Sequence, residues 1–323
     1  MKVTDIEFTS AEHVIEEIEN MNVKGGSPFG RAAAWAYKLC CDQETFTSKQ
    51  ELKTRFDHIS SEMLKLKPTM ATIYNSKKLV YELLDSFADD VAVLDIQREI
   101  SGLCSRIIDY SLEAVEKLGA YGANMIKNGD IIMMHSYSSA LMSIFIQAAD
   151  SGKRFSVICT ESRPLRESRL AAKILQSHGV PVTYITDASI WEFMPECDYI
   201  IAGADTITYD GSVANKMGTA LISKLAKQCH KRLYIASEIY KIDLRTLEGH
   251  QVELERRTIS EVIQAGDFDS MDGIEVINQF FDLTYAGDIH SIICEFGVIP
   301  PSMVADYWTR LENIVTTVKE INF

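Results

Sequence analysis

The hydrophobic rhythm of this chain changes near Asp130, and that change constrains the fold more than any other feature. Before it, apolar residues recur at helical spacing, with helices expected at 10–21, 32–39, 46–66, 79–87 and 96–127, the last interrupted near Gly119 and Gly122. After it, short apolar runs alternate with helical stretches. Strands are expected at 131–134, 154–159, 182–186, 199–202, 233–236, 274–277 and 289–294. Helices are expected at 139–150, 167–176, 188–194, 215–228 and 302–318. Such alternation requires right-handed crossovers and gives a parallel sheet covered on both faces. The expected fold class is α/β: an N-terminal helical domain over residues 1–129, followed by a Rossmann-like parallel-sheet domain over residues 130–323.

Composition narrows the function classes. A hydrophobic share of 46% with 24% charged residues is ordinary for a globular protein. A net charge of −14 argues against general binding to nucleic acid or to anionic membranes, though not against a local phosphate site. The uncharged run 131–149 is long enough to test as a membrane span. It carries His135, Ser136, Tyr137, Ser138, Ser139 and Gln147, so a strand, a polar turn and a buried helix explain it better. The seven cysteines are scattered and lack metal-ligand spacing, which favours neither disulfides nor a zinc site and fits a reducing cytoplasm. No signal peptide is visible at the acidic N-terminus. Nothing calls for a cofactor.

In open parallel sheets ligands bind beyond the carboxyl ends of the strands. The residues expected there are His135 to Ser138, Glu161 to Arg163, Asp187, Asp205, Glu238 and Lys241. That many converging polar groups indicate a polar ligand crevice. The stretch after Cys197 is the most informative: an apolar strand ends in Gly203-Ala204-Asp205, and after Tyr209-Asp210-Gly211 a helix is expected to open with Asn215 and Lys216. Ser138, Ser139 and Ala140 offer hydroxyls and N–H groups at another helix start.

Two N-terminal elements can face that crevice. In Lys24-Gly25-Gly26-Ser27-Pro28, Ser27 suits an N-cap and Pro28 the first helical position, so the glycines lie beside a helix N-terminus that can hold phosphate with Lys24. A plain hinge between two helices explains the same residues. Lys67 precedes Pro68, which pushes it out of the helix to a junction where it can turn inward; read alone it is a solvated lysine. Neighbours on a strand point to opposite faces, so His135 is expected to be packed or hydrogen-bonded rather than to serve as a base for Ser136.

Taken in order, several of these segments resemble one superfamily: methylthioribose-1-phosphate isomerases, ribose-1,5-bisphosphate isomerases and the regulatory subunits of translation initiation factor 2B. Gly203-Ala204-Asp205 with Asn215-Lys216-Met217-Gly218-Thr219 is similar to its central motif. Val23 to Arg31 resembles its phosphate loop, and Lys67-Pro68-Thr69 its Arg-Pro-Thr element. Thr160-Glu161-Ser162-Arg163-Pro164 and the Pro300-Pro301 turn resemble further shared stretches.

The resemblance implies an aldose–ketose isomerase in which Asp205 is the acid/base and a thiol partners it. Here Ser136 stands where the thiol is expected. Lysines, Lys24 and Lys67, replace two arginines, keeping charge but not a bidentate fork. Glu167 replaces a usual glutamine. The resemblance further implies that Lys24 to Ser27, Lys67 and Lys241 hold phosphate, that Asn215 and Lys216 meet sugar oxygens or phosphate, and that the chain forms homodimers or larger homo-oligomers. Two ligand-based functions remain open, beside a plain scaffold whose crevice is vestigial. One is a sugar-phosphate isomerase resembling ribose-1,5-bisphosphate isomerase. The other is a non-catalytic protein like the alpha subunit of initiation factor 2B, binding a phosphorylated sugar or nucleotide, or translation-factor partner subunits.

Overall fold

A computed structural model describes residues 6–23 and 25–317. Lys24 and the expected end of the last helix at residue 318 lie outside the described residues. The N-terminal part consists of helices: α1 (Ala11–Glu19), α2 (Gly26–Gln43), α3 (Lys49–Leu66), α4 (Ala71–Ser86) and α5 (Val93–Met125). Local chemistry sets their starts. The Ser10 hydroxyl accepts from the His13 N–H at 3.0 Å, and the Ser48 hydroxyl from the Glu51 N–H at 3.2 Å, satisfying N–H groups that a helix start leaves unpaired.

Helix α5 is not interrupted at its glycines, contrary to expectation. They serve the packing of α5 against α6 (Ser139–Asp150). A Cβ on Gly122 would come within 2.5 Å of Ile144, and one on Gly119 within 3.0 Å of Ser143 Cβ. Helix α2 likewise starts earlier than expected. Its N-cap is Gly25, at φ 93°, and Ser27 lies inside the first turn, because Gly25 can take a backbone conformation that side chains resist.

From residue 131 the chain alternates as expected. Strands β1 (Ile131–His135), β2 (Ser156–Thr160), β3 (Val182–Ile185), β4 (Tyr199–Ala202), β7 (Arg232–Ala236), β10 (Ser291–Cys294) and β11 (Gly297–Ile299) form one sheet, ordered β11-β10-β7-β4-β1-β2-β3. All neighbours are parallel except the β10–β11 edge pair. The crossover helices are α6, α7 (Ser168–Ser177), α8 (Ile190–Phe193) and α9 (Thr219–Gln228), and α10 (Val304–Thr316) closes the fold.

Alternate strand residues enter two different cores, as a period of two requires. Met133, Ile200, Leu233 and Ile292 pack with the N-terminal helices. Met134, Ile201, Tyr234 and Ile293 pack with α6 and α7. The first core is continuous from α1 to α10, so the helices are seated on the sheet.

A second sheet corrects the expectation of a helix starting at residue 215. Val213–Lys216 is a strand, β6, not a helix start; α9 begins only at Thr219. Strand β6 pairs antiparallel with β5 (Thr206–Thr208) and β9 (Phe281–Thr284), and β8 (Ile242–Asp243) completes the order β8-β5-β6-β9. The strand expected at 274–277 is absent; that stretch is irregular, and pairing begins with a lone bridge at Gln279 and then strand β9 from Phe281.

Candidate functional site

The main sheet reverses its winding between β1 and β4: β2 and β3 lie beyond one, β7 and β10 beyond the other. That is where a crevice opens at the carboxyl edge of such a sheet. Ser136 follows β1 and Asp205 follows β4, so the two residues singled out for chemistry flank the same crevice.

Asp205 is half-buried. Burial raises its carboxyl above the usual range. Lys241 and Lys216 pull it down, while Glu167 and Glu255 push it further up. A carboxyl held towards its neutral form can give and take a proton near neutrality.

Ser136 is buried and left-handed at φ 66°. Its N–H donates to Ser162 Oγ at 2.7 Å, and Ser162 Oγ also meets Ser168 Oγ at 2.9 Å. Ser162 is fixed in turn by Asp187, whose carboxylate accepts the N–H groups of Ser162 (2.9 Å) and Arg163 (2.8 Å). Asp187, expected at the crevice edge, therefore braces the loop behind Ser136. His135 Nε2 lies 2.9 Å from the Met217 carbonyl, so that nitrogen carries the proton and donates; Nδ1 then accepts from Thr160 Oγ1 at 2.7 Å. Burial lowers its pKa, which suits a neutral ring. Among the described residues no basic side chain hydrogen-bonds the Ser136 hydroxyl.

The small sheet delivers the opposite wall. Asn215 and Lys216 are buried at the end of β6. Asn215 Nδ2 donates to Thr219 Oγ1 at 2.9 Å. Asp282 on β9 accepts the N–H groups of Gly218 (2.7 Å) and Ala220 (3.1 Å), capping α9 from across the sheet; burial pushes its carboxyl up to about 6. Lys216 Nζ lies 2.5 Å from Glu167 Oε1 and 3.0 Å from the Phe280 ring centroid. Burial lowers its pKa, and Glu167 opposes that shift. A Cβ on Gly203 would lie 3.0 Å from Ser138 Cβ and 3.8 Å from Asn215 Oδ1, so the Ser138 to Ala140 helix start meets β6 across a bare backbone.

The helical part closes over this edge. A Cβ on Gly26 would lie 3.0 Å from the Asp205 carbonyl oxygen and 3.1 Å from Lys241 Cε, which places the first turn of α2 against the site. Thr72 donates to the Gly26 carbonyl at 2.7 Å, and Asn75 donates to the carbonyls of Tyr240 (2.8 Å) and Ile242 (2.7 Å). Lys241 donates to the Ala204 carbonyl at 2.8 Å and sits 3.4 Å from Glu238 Oε2. Lys67 is buried; its Nζ is 3.9 Å from Glu255 Oε1 and 5.7 Å from the Phe29 ring centroid, and burial lowers its pKa.

Residues 22–301 match the initiation factor 2 subunit family. The chain belongs to that family. It is 35% identical to a ribose 1,5-bisphosphate isomerase of Methanocaldococcus jannaschii over 91% of this chain and 93% of the relative. It is 33% identical to a putative translation initiation factor eIF-2B subunit 2-like protein of Pyrococcus furiosus over 89% of this chain and 95% of that one. The crystal structure of Pyrococcus horikoshii OT3 translation initiation factor eIF-2B superposes with a TM-score of 0.75 at 28% identity, covering 90% of this chain and 97% of that one. Relatives named as an enzyme and as a translation factor thus share one fold with this chain, and the distinction must lie in side chains.

Within this family member, Gly25, Gly26, Ser27, Lys67, Ser138, Ser139, Ala140, Asp205, Asn215, Lys216 and Lys241 are brought to one edge of the fold. Lys24 lies outside the described residues. Sequence reasoning missed Glu255 altogether, since it sits in an irregular stretch with no motif around it. It also missed the hairpin that aims Asn215 and Lys216. The signal was present: Asp210-Gly211 between β-branched runs is a hairpin turn.

Proposed function

We propose that this protein is a sugar-phosphate aldose–ketose isomerase resembling ribose-1,5-bisphosphate isomerase, with Asp205 as its acid/base. The observation that carries this reading is Asp205 itself. Its raised, partly open carboxyl stands between Lys216 and Lys241 at the reversal of a parallel sheet. The order β3-β2-β1-β4-β7-β10 supports a Rossmann-like reading of that sheet, and relatives named as isomerases support the reaction class.

The chemistry asked of the site is balanced. The bond between C1 and the ring oxygen of an aldose 1-phosphate breaks, and that oxygen takes a proton. Hydrogen moves from C2 to C1, and the C2 hydroxyl loses its proton to become a carbonyl. Asp205 in its neutral form supplies the first proton and as carboxylate accepts the last. Ser136 lines the opposite side, and its hydroxyl orients a substrate oxygen rather than acting as a strong base. The first turn of α2, with Lys67 and Lys241, receives the phosphate. Ser138 to Ala140, Asn215 and Lys216 meet sugar oxygens.

The absence of a base on the Ser136 hydroxyl among the described residues favours a second reading, a family member that binds a phosphorylated metabolite without turning it over. Incubation with ribose 1-phosphate and ribose 1,5-bisphosphate, followed by NMR, separates the two. Ketose formation that Asp205→Asn slows by about 10²–10⁴-fold is the expected result. Binding without turnover, with turnover appearing in Ser136→Cys, would establish the second reading.

A further inference from the structure

Each described lysine expected to meet phosphate already faces a carboxylate. Lys216 lies 2.5 Å from Glu167, Lys241 3.4 Å from Glu238, and Lys67 3.9 Å from Glu255. The lysines are matched one for one before Asp205 is counted. The tightest pair is at the β6 end and the loosest at Lys67. The α2 end adds N–H groups with no side-chain cap and no acid in its first turn. The two ends of the crevice therefore differ in degree. The α2 end adds backbone donors to its lysines, whereas at the β6 end the ammonium lies closest to a carboxylate, although Lys216 Nζ is buried without a hydrogen bond.

The carboxylates also show what they lack. Glu167 Oε2 and both carboxylate oxygens of Glu238 are buried without a hydrogen-bond partner. Unpaired buried acceptors call for O–H or N–H donors. A phosphate dianion has none to give and is repelled by a carboxylate, whereas a sugar hydroxyl donates. The Glu167 side chain is 26% exposed although its Oε2 is buried, so a ligand hydroxyl meets that oxygen only when the side chain turns towards it, while Glu238 is sealed at 2%.

Resting on the sugar-phosphate reading above, we propose that the crevice takes an aldose monophosphate, its phosphate at the α2 end and a free hydroxyl at the β6 end. Glu167 is the residue that discriminates against a second phosphate. By holding Lys216 it cancels the charge a distal phosphate would need, and its own carboxylate accepts from the hydroxyl found there instead. Glutamine keeps the shape and the acceptor but removes the negative charge, which frees Lys216 for an anion.

Calorimetry on the full chain tests this, with ribose 1-phosphate and ribose 1,5-bisphosphate titrated into wild type and Glu167→Gln. Wild type is expected to bind the monophosphate more tightly. The variant should shift the ratio towards the bisphosphate by on the order of ten-fold, the scale of one charge pair at a partly screened site. A wild-type preference for the bisphosphate overturns the proposal and leaves the sugar-phosphate reading standing. So does an unchanged ratio in a variant that still binds the monophosphate. Should neither sugar bind the wild type, both ideas fall together.

Discussion

Glu295 offers a test of how the buried charges around this site are balanced. It follows β10, is 6% exposed, and accepts hydrogen bonds from Tyr110 Oη at 2.6 Å and from the Ile239 N–H at 3.1 Å. Burial raises its carboxyl from 4.5 to about 7; Glu238 pushes the same way, and the Tyr110 hydroxyl and the Ile239 N–H oppose. The folded state therefore holds this proton more tightly than the unfolded chain. Its stabilising contribution is fully present below about pH 4.5 and is lost as pH rises through about 7. A gap of that size corresponds to about 3 kcal/mol. Glu295→Gln stays neutral at every pH and keeps an acceptor for Tyr110 and Ile239, but adds a buried N–H pair that costs about 1 kcal/mol if it finds no acceptor. The stability difference between variant and wild type should move by about 3 kcal/mol in favour of the variant between about pH 4.5 and about pH 8, leaving the variant the more stable protein at the upper end. Urea unfolding at several pH values, or melting temperatures displaced by about 6 °C or more, reads this directly. A difference that does not vary with pH, or that favours wild type as pH rises, would refute the reasoning.

Two further predictions concern packing. Gly122→Ala forces a methyl to within 2.5 Å of Ile144 and should lower stability by about 1–3 kcal/mol, whereas Gly102→Ala on the same helix meets nothing closer than 3.4 Å and should raise it by up to about 1 kcal/mol; thermal unfolding of the pair checks the contrast. Of the seven free cysteines only Cys229 is not buried, so a thiol reagent under native conditions should label it first, and mass spectrometry showing Cys40, Cys41 or Cys104 modified at the same rate would count against this packing.

The parts of the fold legible in the sequence were those governed by short-range rules. Strand–helix alternation after residue 130 gave the parallel sheet because a buried strand must be apolar and a crossover must be long enough for a helix. The Ser10 cap was readable because the hydroxyl and its target are three residues apart. What escaped depended on distant partners. Asn215 and Lys216 form a strand because Phe281–Thr284 pairs with them, and nothing near residue 215 announces that partner. Gly119 and Gly122 looked like breaks because their reason, the side chains of α6, lies across a helix interface. The site followed the same division. The residues at the strand ends were legible, and the carboxylates facing the lysines were not read as their partners.

Those carboxylates change what affinity means here. Lys67, Lys216 and Lys241 have side chains at most 8% exposed, and burying such ammonium groups without counter-charges would cost several kcal/mol each. Glu255, Glu167 and Glu238 offset that cost. A ligand anion consequently gains only the difference between its own interaction with a lysine and the one it disturbs, and it must also find a place for the displaced carboxylate. At Lys67 the pair is 3.9 Å apart and Glu255 is 24% exposed, so the displaced group can turn to water. At Lys216 the pair is 2.5 Å apart, so an anion must break a much closer contact, although Glu167 with 26% of its side chain exposed is as able to turn to water as Glu255. Phosphate therefore has its least costly entry at Lys67, where the pair is loosest, and costlier ones at Lys216, where it is tightest, and at Lys241, whose partner Glu238 is sealed. That asymmetry follows from the chain's own side chains whether the ligand is turned over or only held.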